Sequence, residues 1–238
     1  MNNTALNLVH TLLSLLTGVY LCAAIYHLCI AARNRQKGLH LSFSVMCIMA
    51  AGYCLAAKAV YSSLSIPAFL YALRWQLLFG IVFMTCAVWF TVFFTNWPSR
   101  LPALLLSLAA LGLIALNHFS SGGILVAQVQ SFDRLILPWG ETIAFPNTNL
   151  SLWAAALWTF SLAVYLFVIM GCRRLWQVGR RRAALVIAAN VIFFLSAGLF
   201  DLAVDLRSLQ FIYVAEFRFL LCVFAMFVYT YKHFSRSV

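Results

Sequence analysis

The sequence predicts an all-α membrane protein: a bundle of seven transmembrane helices with the N-terminus outside, the C-terminus cytoplasmic and a β-hairpin in one long outer loop. Three observations predict it. Of 238 residues, 65% are apolar and only 9% charged, whereas a soluble domain carries about 25% charged residues. Such a chain cannot cover a water-facing surface. Seven apolar runs are long enough to cross the ~30 Å hydrocarbon core as helices. Most of the basic residues, finally, fall on one side of those runs. Seven spans with short connections fill nearly the whole length, so one transmembrane domain, 1–238, is expected.

The spans are justified in order by their apolar runs and by what ends them. The first, 6–32, resembles a signal peptide only superficially. Its leader, 1–7, has no positive charge, its run is too long, and basic residues follow it, so it is expected to stay in the mature protein. The turn Arg33-Asn34-Arg35-Gln36-Lys37-Gly38 leads to the second span, 39–61. Residues 62–67 separate it from the third, 68–95, and Asn96-Trp97-Pro98-Ser99-Arg100 precede the fourth, 101–117. The fifth, 150–171, and the sixth, 183–206, flank a basic stretch at 173–182, and the seventh is 211–231.

Charge sets the orientation. The first, third and fifth connections and the C-terminal tail hold eleven of the sixteen basic residues and no acid. The other side, with the ends of its spans, holds Lys58, Arg74, Arg134, Arg207 and Arg218 together with all five acids: Asp133, Glu141, Asp201, Asp205 and Glu216. The positive-inside rule therefore puts the N-terminus outside, which requires an odd number of spans. The net charge of +11 is first a topology signal, and nucleic acid is not an expected partner.

The fourth connection, 118–149, is the one long enough for structure of its own. Residues 124–130 are strand-like, and Pro138-Trp139-Gly140-Glu141 breaks the following run before Thr142. A short hairpin across the outer mouth of the bundle fits this pattern. It reads either as a lid, with Trp139 and Glu141 as its candidate contact residues, or as a seal on the bundle top.

Ionisable residues inside the spans are the candidate site. Counted at ~1.5 Å per residue, Lys58, Arg74, Asp201, Asp205, Glu216 and Arg218 all occupy the outer half, and their formal charges cancel. Asp201 and Asp205, four apart, share a helix face. A charge in hydrocarbon costs at least a few kcal/mol, so each should face the bundle interior, a water-filled cavity or a partner. Two readings follow. One is a salt-bridge network, pairing Lys58 or Arg74 with Asp201 or Glu216, that sets helix register. The other is a polar pocket for a small polar or zwitterionic ligand.

Other residues point to less. His10, His27, His40, His118 and His233 are not expected to pair at ligand spacing on opposing helices, so neither metal nor haem is expected. Cys22 with Cys29 and Cys47 with Cys54, each seven apart, read as small packing residues. Asn2-Asn3-Thr4 and Asn149-Leu150-Ser151 match the glycosylation pattern, which is common by chance. No Gly-rich phosphate loop, His-Glu-x-x-His or Gly-x-Ser-x-Gly is present, and no cytoplasmic carboxylate. An enzyme is not expected.

Seven spans with an outside N-terminus invite the rhodopsins and the animal G-protein-coupled receptors. The seventh span, however, lacks a Schiff-base lysine, and Phe94-Thr95-Asn96-Trp97 stands where Asp-Arg-Tyr would. The Arg33-Asn34-Arg35 turn, the Trp-rich third span, the segment Leu137-Pro138-Trp139-Gly140-Glu141 and the aromatic seventh span with its basic end carry a different likeness. The chain resembles the seven-helix sensor regions that precede cytoplasmic domains in some bacterial histidine kinases and diguanylate cyclases. The resemblance implies a multi-pass protein of the bacterial inner membrane that senses a small outside molecule and signals through its seventh helix. It also implies a cytoplasmic signalling domain or protein as partner, beside the lipid bilayer and a second copy in a homodimer. Residues 232–238 alone follow the last span, so the output is expected in a separate partner or a domain outside this chain. A small transporter or channel subunit and a structural membrane subunit are the alternatives.

Overall fold

The computed structural model describes residues 7–33, 37–205 and 211–234, with side chains except at 205 and 229–234. Among these are seven helices: α1 (Leu8–Arg33), α2 (Lys37–Tyr61), α3 (Ile66–Thr95), α4 (Leu101–Phe119), α5 (Ala154–Gln177), α6 (Arg181–Asp205) and α7 (Ala215–Phe234). Four short strands, β1 (Val126–Ser131), β2 (Arg134–Ile136), β3 (Thr142–Ala144) and β4 (Asn147–Leu150), lie between α4 and α5. Six of the helices, α1 to α6, are long and apolar enough to cross a membrane. Their apolar surfaces belong in a lipid bilayer, which makes this a multi-pass membrane protein.

Local chemistry ends the helices. Ser65 caps α3 by accepting from the Ala68 N–H at 3.4 Å, and Asn96 closes it in the left-handed region with φ 50°. Gly179, at φ 80°, supplies the backbone that stops α5 two residues before α6 begins. The seventh helix starts at Ala215, later than the 211 expected from hydropathy. The physical reason is that the Val214 N–H donates to Asp201 Oδ1 at 2.7 Å, which fixes the chain ahead of the helix.

Packing is tightest where side chains are small. On α2, Ala50, Ala51, Cys54 and Ala57 are buried, and this helix packs most closely against α1 and α3. Close approach of backbones is the general use of small residues between membrane helices. At Gly52 a Cβ would stand 2.7 Å from the Phe79 ring, so no larger residue fits without a shift. By contrast, Leu104, Leu105, Leu108 and Leu111 of α4 are more than half exposed, a lipid-facing surface. Phe83, Phe194 and Phe219, from three helices, stack into an aromatic layer with centroids 4.3–6.0 Å apart.

The strands pair as two nested antiparallel ribbons, β1 with β4 and β2 with β3. The Phe145 N–H, donating to the Asp133 carbonyl at 2.9 Å, links the inner ribbon to the outer one. Ile124, Val126, Leu137 and Ile143 are buried against the helices. The ribbons and the basic α5–α6 turn mark the two ends of the bundle.

Candidate functional site

The charges inside the spans do not form one network. Lys58 Nζ donates to Ser14 Oγ on α1 at 3.0 Å, at a partly exposed position, and meets neither Asp201 nor Glu216. Arg74 turns toward the end of α4, where its Nη2 donates to the Ser120 and Ser121 carbonyls. Ser120 is the residue that ends α4 and Ser121 the next, so the guanidinium sits at the negative pole of that helix, where a cation is favoured. Asn117 completes this fastening by donating to the Arg74 carbonyl at 2.9 Å and accepting from the Ile124 N–H at 3.3 Å. The expected pairings of Lys58 and Arg74 with acids are thus corrected: oxygen acceptors closer to each side chain take both cations.

Asp201 and Arg218 are brought together. Arg218 Nη2 donates to Asp201 Oδ2 at 3.0 Å, and both side chains are nearly buried, at 14% and 13% exposure. Asp201 also accepts from the Val214 N–H, so one carboxylate holds both the approach to α7 and its first turn. The Arg218 guanidinium lies over the Phe194 ring at 5.7 Å. Asp205 is the last residue of α6, and its side chain lies outside the described residues.

Glu216 stands apart. It is fully buried in the first turn of α7, and neither carboxylate oxygen accepts a hydrogen bond from the described residues. Its backbone carbonyl accepts from the Tyr20 hydroxyl at 2.8 Å. Tyr53, Tyr61 and Cys54 lie within electrostatic reach of its carboxyl group. Beneath the ribbons is a cavity of about 200 Å³ lined by Gln76, Asp201, Arg218, Tyr213 and the same Tyr53 and Tyr61. Glu216 itself does not line this cavity; Tyr53 and Tyr61 do, and both lie within electrostatic reach of its carboxyl group.

The candidate lid residues are anchored. Glu141 is 2% exposed, and its Oε2 accepts from the Val9 N–H at 2.9 Å and from Trp139 Nε1–H at 2.8 Å. It therefore caps the first turn of α1 from a distant part of the chain. Trp139 meets Phe211 edge-on at 6.3 Å. Gly140, at φ 86°, permits the tight turn that brings the two residues together.

Two features escaped the sequence reading. His27 of α1 and His40 of α2 are buried with their Nδ1 atoms 3.0 Å apart and their rings stacked at 5.3 Å, which corrects the expectation that the histidines stay apart. At that distance one Nδ1 carries the hydrogen and the other accepts it. The usable signal was that both lie within two turns of the α1–α2 connection, hence at similar depth. Among the described residues no three His, Cys, Asp or Glu groups converge as metal ligands. The second feature is a cavity of about 900 Å³ between α2, α3, α5, α6 and α7, lined by Phe83, Phe90, Val168, Ile187 and Met226 and reaching Arg180, Arg181 and Arg182. Within it the Asn190 side chain donates to the Val186 carbonyl and leaves Oδ1 without a partner.

Comparison with protein-family models, with curated proteins and with solved structures returned no match.

Proposed function

We propose that this chain is a non-catalytic membrane sensor, with seven spans, an outside N-terminus and the ribbons on the outer face. In this reading it binds a small polar or zwitterionic molecule beside the N-terminus of α7. The topology rests on the one-sided basic residues. The binding reading is carried by Glu216. A fully buried carboxyl group whose oxygens meet no donor from another side chain or element among the described residues is the kind of group a native structure keeps for a reason, since leaving it unsatisfied costs about 1–3 kcal/mol or more. A ligand donor, such as an ammonium or hydroxyl group, supplies what is missing. The neighbouring cavity, about 200 Å³, lies below the ~300–1,000 Å³ of drug-sized sites, so the ligand is small.

Asp201 and Arg218 give the signal a route. They hold the start of α7 against α6, so a ligand that engages this end changes how the two helices pack. The ligand must bind the two packings with different affinity, because equal affinity shifts nothing. The test is a thermal-unfolding screen of the purified protein with amino acids, betaines and small amines. A ligand at a hundred times its Kd stabilises by about 2.7 kcal/mol, and Glu216→Gln should lose that gain. Equal stabilisation of both proteins, or none of the unaltered one, rejects the reading.

One observation favours a small transporter as a second reading. The two cavities approach from opposite ends and are divided by the Phe83, Phe194 and Phe219 layer, with Arg218 lying over Phe194. A Phe194→Ala variant that let a small zwitterion leak into sealed vesicles would support it.

A further inference from the structure

We propose that the larger cavity holds one anionic phospholipid of the bilayer, its acyl chain between α3, α5, α6 and α7 and its phosphate on Arg181 and Arg182. The inference is independent of the sensor reading, since it concerns the other end of the bundle.

Shape and chemistry both point to a chain with a charged head. The cavity volume, about 900 Å³, is at the upper end of ligand sites. Its exposed lining residues are Gly179, Arg181, Arg182 and Val186, so it opens at the α5–α6 turn. Its floor is the stacked pair Phe83 and Phe194. Thirteen residues of α6 separate Arg181 from Phe194, a depth of about 20 Å. That exceeds the ~15 Å of one hydrocarbon leaflet. The walls between are mostly apolar, which suits methylenes and not a soluble anion.

The mouth is cationic without counter-charge. Arg180 is already engaged, donating to the Phe94 carbonyl at 3.1 Å and lying over its ring at 4.9 Å. Arg181 lies over the Trp176 ring at 5.5 Å, and its N–H groups have no acceptor among the described residues. Neither Arg181 nor Arg182 meets a carboxylate among the described residues, and the five acids of the chain all lie elsewhere. The first N–H groups of α6 add the positive pole of a helix at the same place. Guanidinium groups match phosphate oxygens in pairs, and basic pockets between membrane helices are known lipid-headgroup sites. Topology alone does not account for the arrangement: the positive-inside rule needs basic residues on this loop, not their placement around an apolar cavity.

The experiment is native mass spectrometry of the full chain released from detergent, after supplying phosphatidylglycerol or phosphatidylcholine with identical acyl chains. One phosphatidylglycerol should be retained with at least about tenfold preference, as two arginines near a headgroup predict. Millimolar glycerol phosphate, the head without the chain, should not displace it. The Arg181→Gln, Arg182→Gln double variant should fall below about twofold preference with an unchanged melting temperature. Equal retention of the two lipids by the unaltered protein overturns the proposal. So does displacement by glycerol phosphate, which marks a soluble-anion site, or full preference in the double variant, which marks lipid bound elsewhere.

Discussion

At the ribbon end of the bundle, Lys58, Arg74 and Arg218 each reach an oxygen acceptor, and each contact joins two elements: α2 to α1, α3 to the end of α4, and α7 to α6. At the other end Arg174 and Arg180 do the same, donating to the Thr95, Asn96 and Phe94 carbonyls that finish α3. Arg181 and Arg182 have no such acceptor among the described residues and rim a cavity instead. The difference separates charges that fasten helices from charges left available to something outside the chain. It also isolates Glu216, a buried carboxyl group at the ribbon end whose oxygens fasten nothing among the described residues.

The comparison can be broken most sharply at Arg218. Arg218→Met strands Asp201, and breaking a buried pair costs about 3–5 kcal/mol. Thermal unfolding should show that loss, and adding Asp201→Asn should recover most of it. A loss below about 1 kcal/mol would mean that the pair is solvated and does not hold α7. Next is Glu141→Ala, which removes the acceptor shared by Val9 and Trp139. Hydrogen bonds to a charged group are worth about 1.5–3 kcal/mol. Protease should then cut within 118–149 sooner, whereas Glu141→Gln keeps an acceptor and should lie between the two. Arg74→Met should cost up to about 2 kcal/mol by removing the cation from the C-terminal end of α4, read by hydrogen exchange at 117–124. Smallest is Lys58→Met, where one partly exposed contact is lost and stability should stay within about 0.5 kcal/mol. If Lys58→Met matched Arg218→Met, the idea of separate fastenings would give way to a single coupled network.

The helices were legible because hydropathy over twenty residues averages out local detail. Their boundaries were less so, since the start of α7 depends on a contact with Asp201 that lies 13 residues earlier in the chain. The six ionisable residues lie toward the ribbon end of the bundle, but the partners of Lys58 and Arg74 are not those that charge alone suggests. Pairing them by charge alone overlooked the carbonyls at helix ends and the Ser14 hydroxyl, which compete for the same cations. His27 and His40 meet because they lie at similar depth on either side of the short α1–α2 connection, a relation that spacing along the chain does not display. The large cavity was hidden for another reason. Ala87, Ile187 and Ala225 line it with residues that read like packing, and Arg180 to Arg182 had already been explained by orientation.

The contact between Glu141 and Val9 spans 132 residues of sequence, and that separation has a consequence for biogenesis. At a synthesis rate of about 5–20 residues per second, α1 emerges on the order of 10 s before the residue that completes its first turn. During that interval the start of α1 depends on water or lipid headgroups for its backbone donors. The first turn of α1 therefore gains this acceptor only after the ribbons have been made, although α2, its main packing partner, follows it directly. A translational pause placed between α4 and the ribbons would lengthen the exposed interval, and with it the chance of quality-control capture.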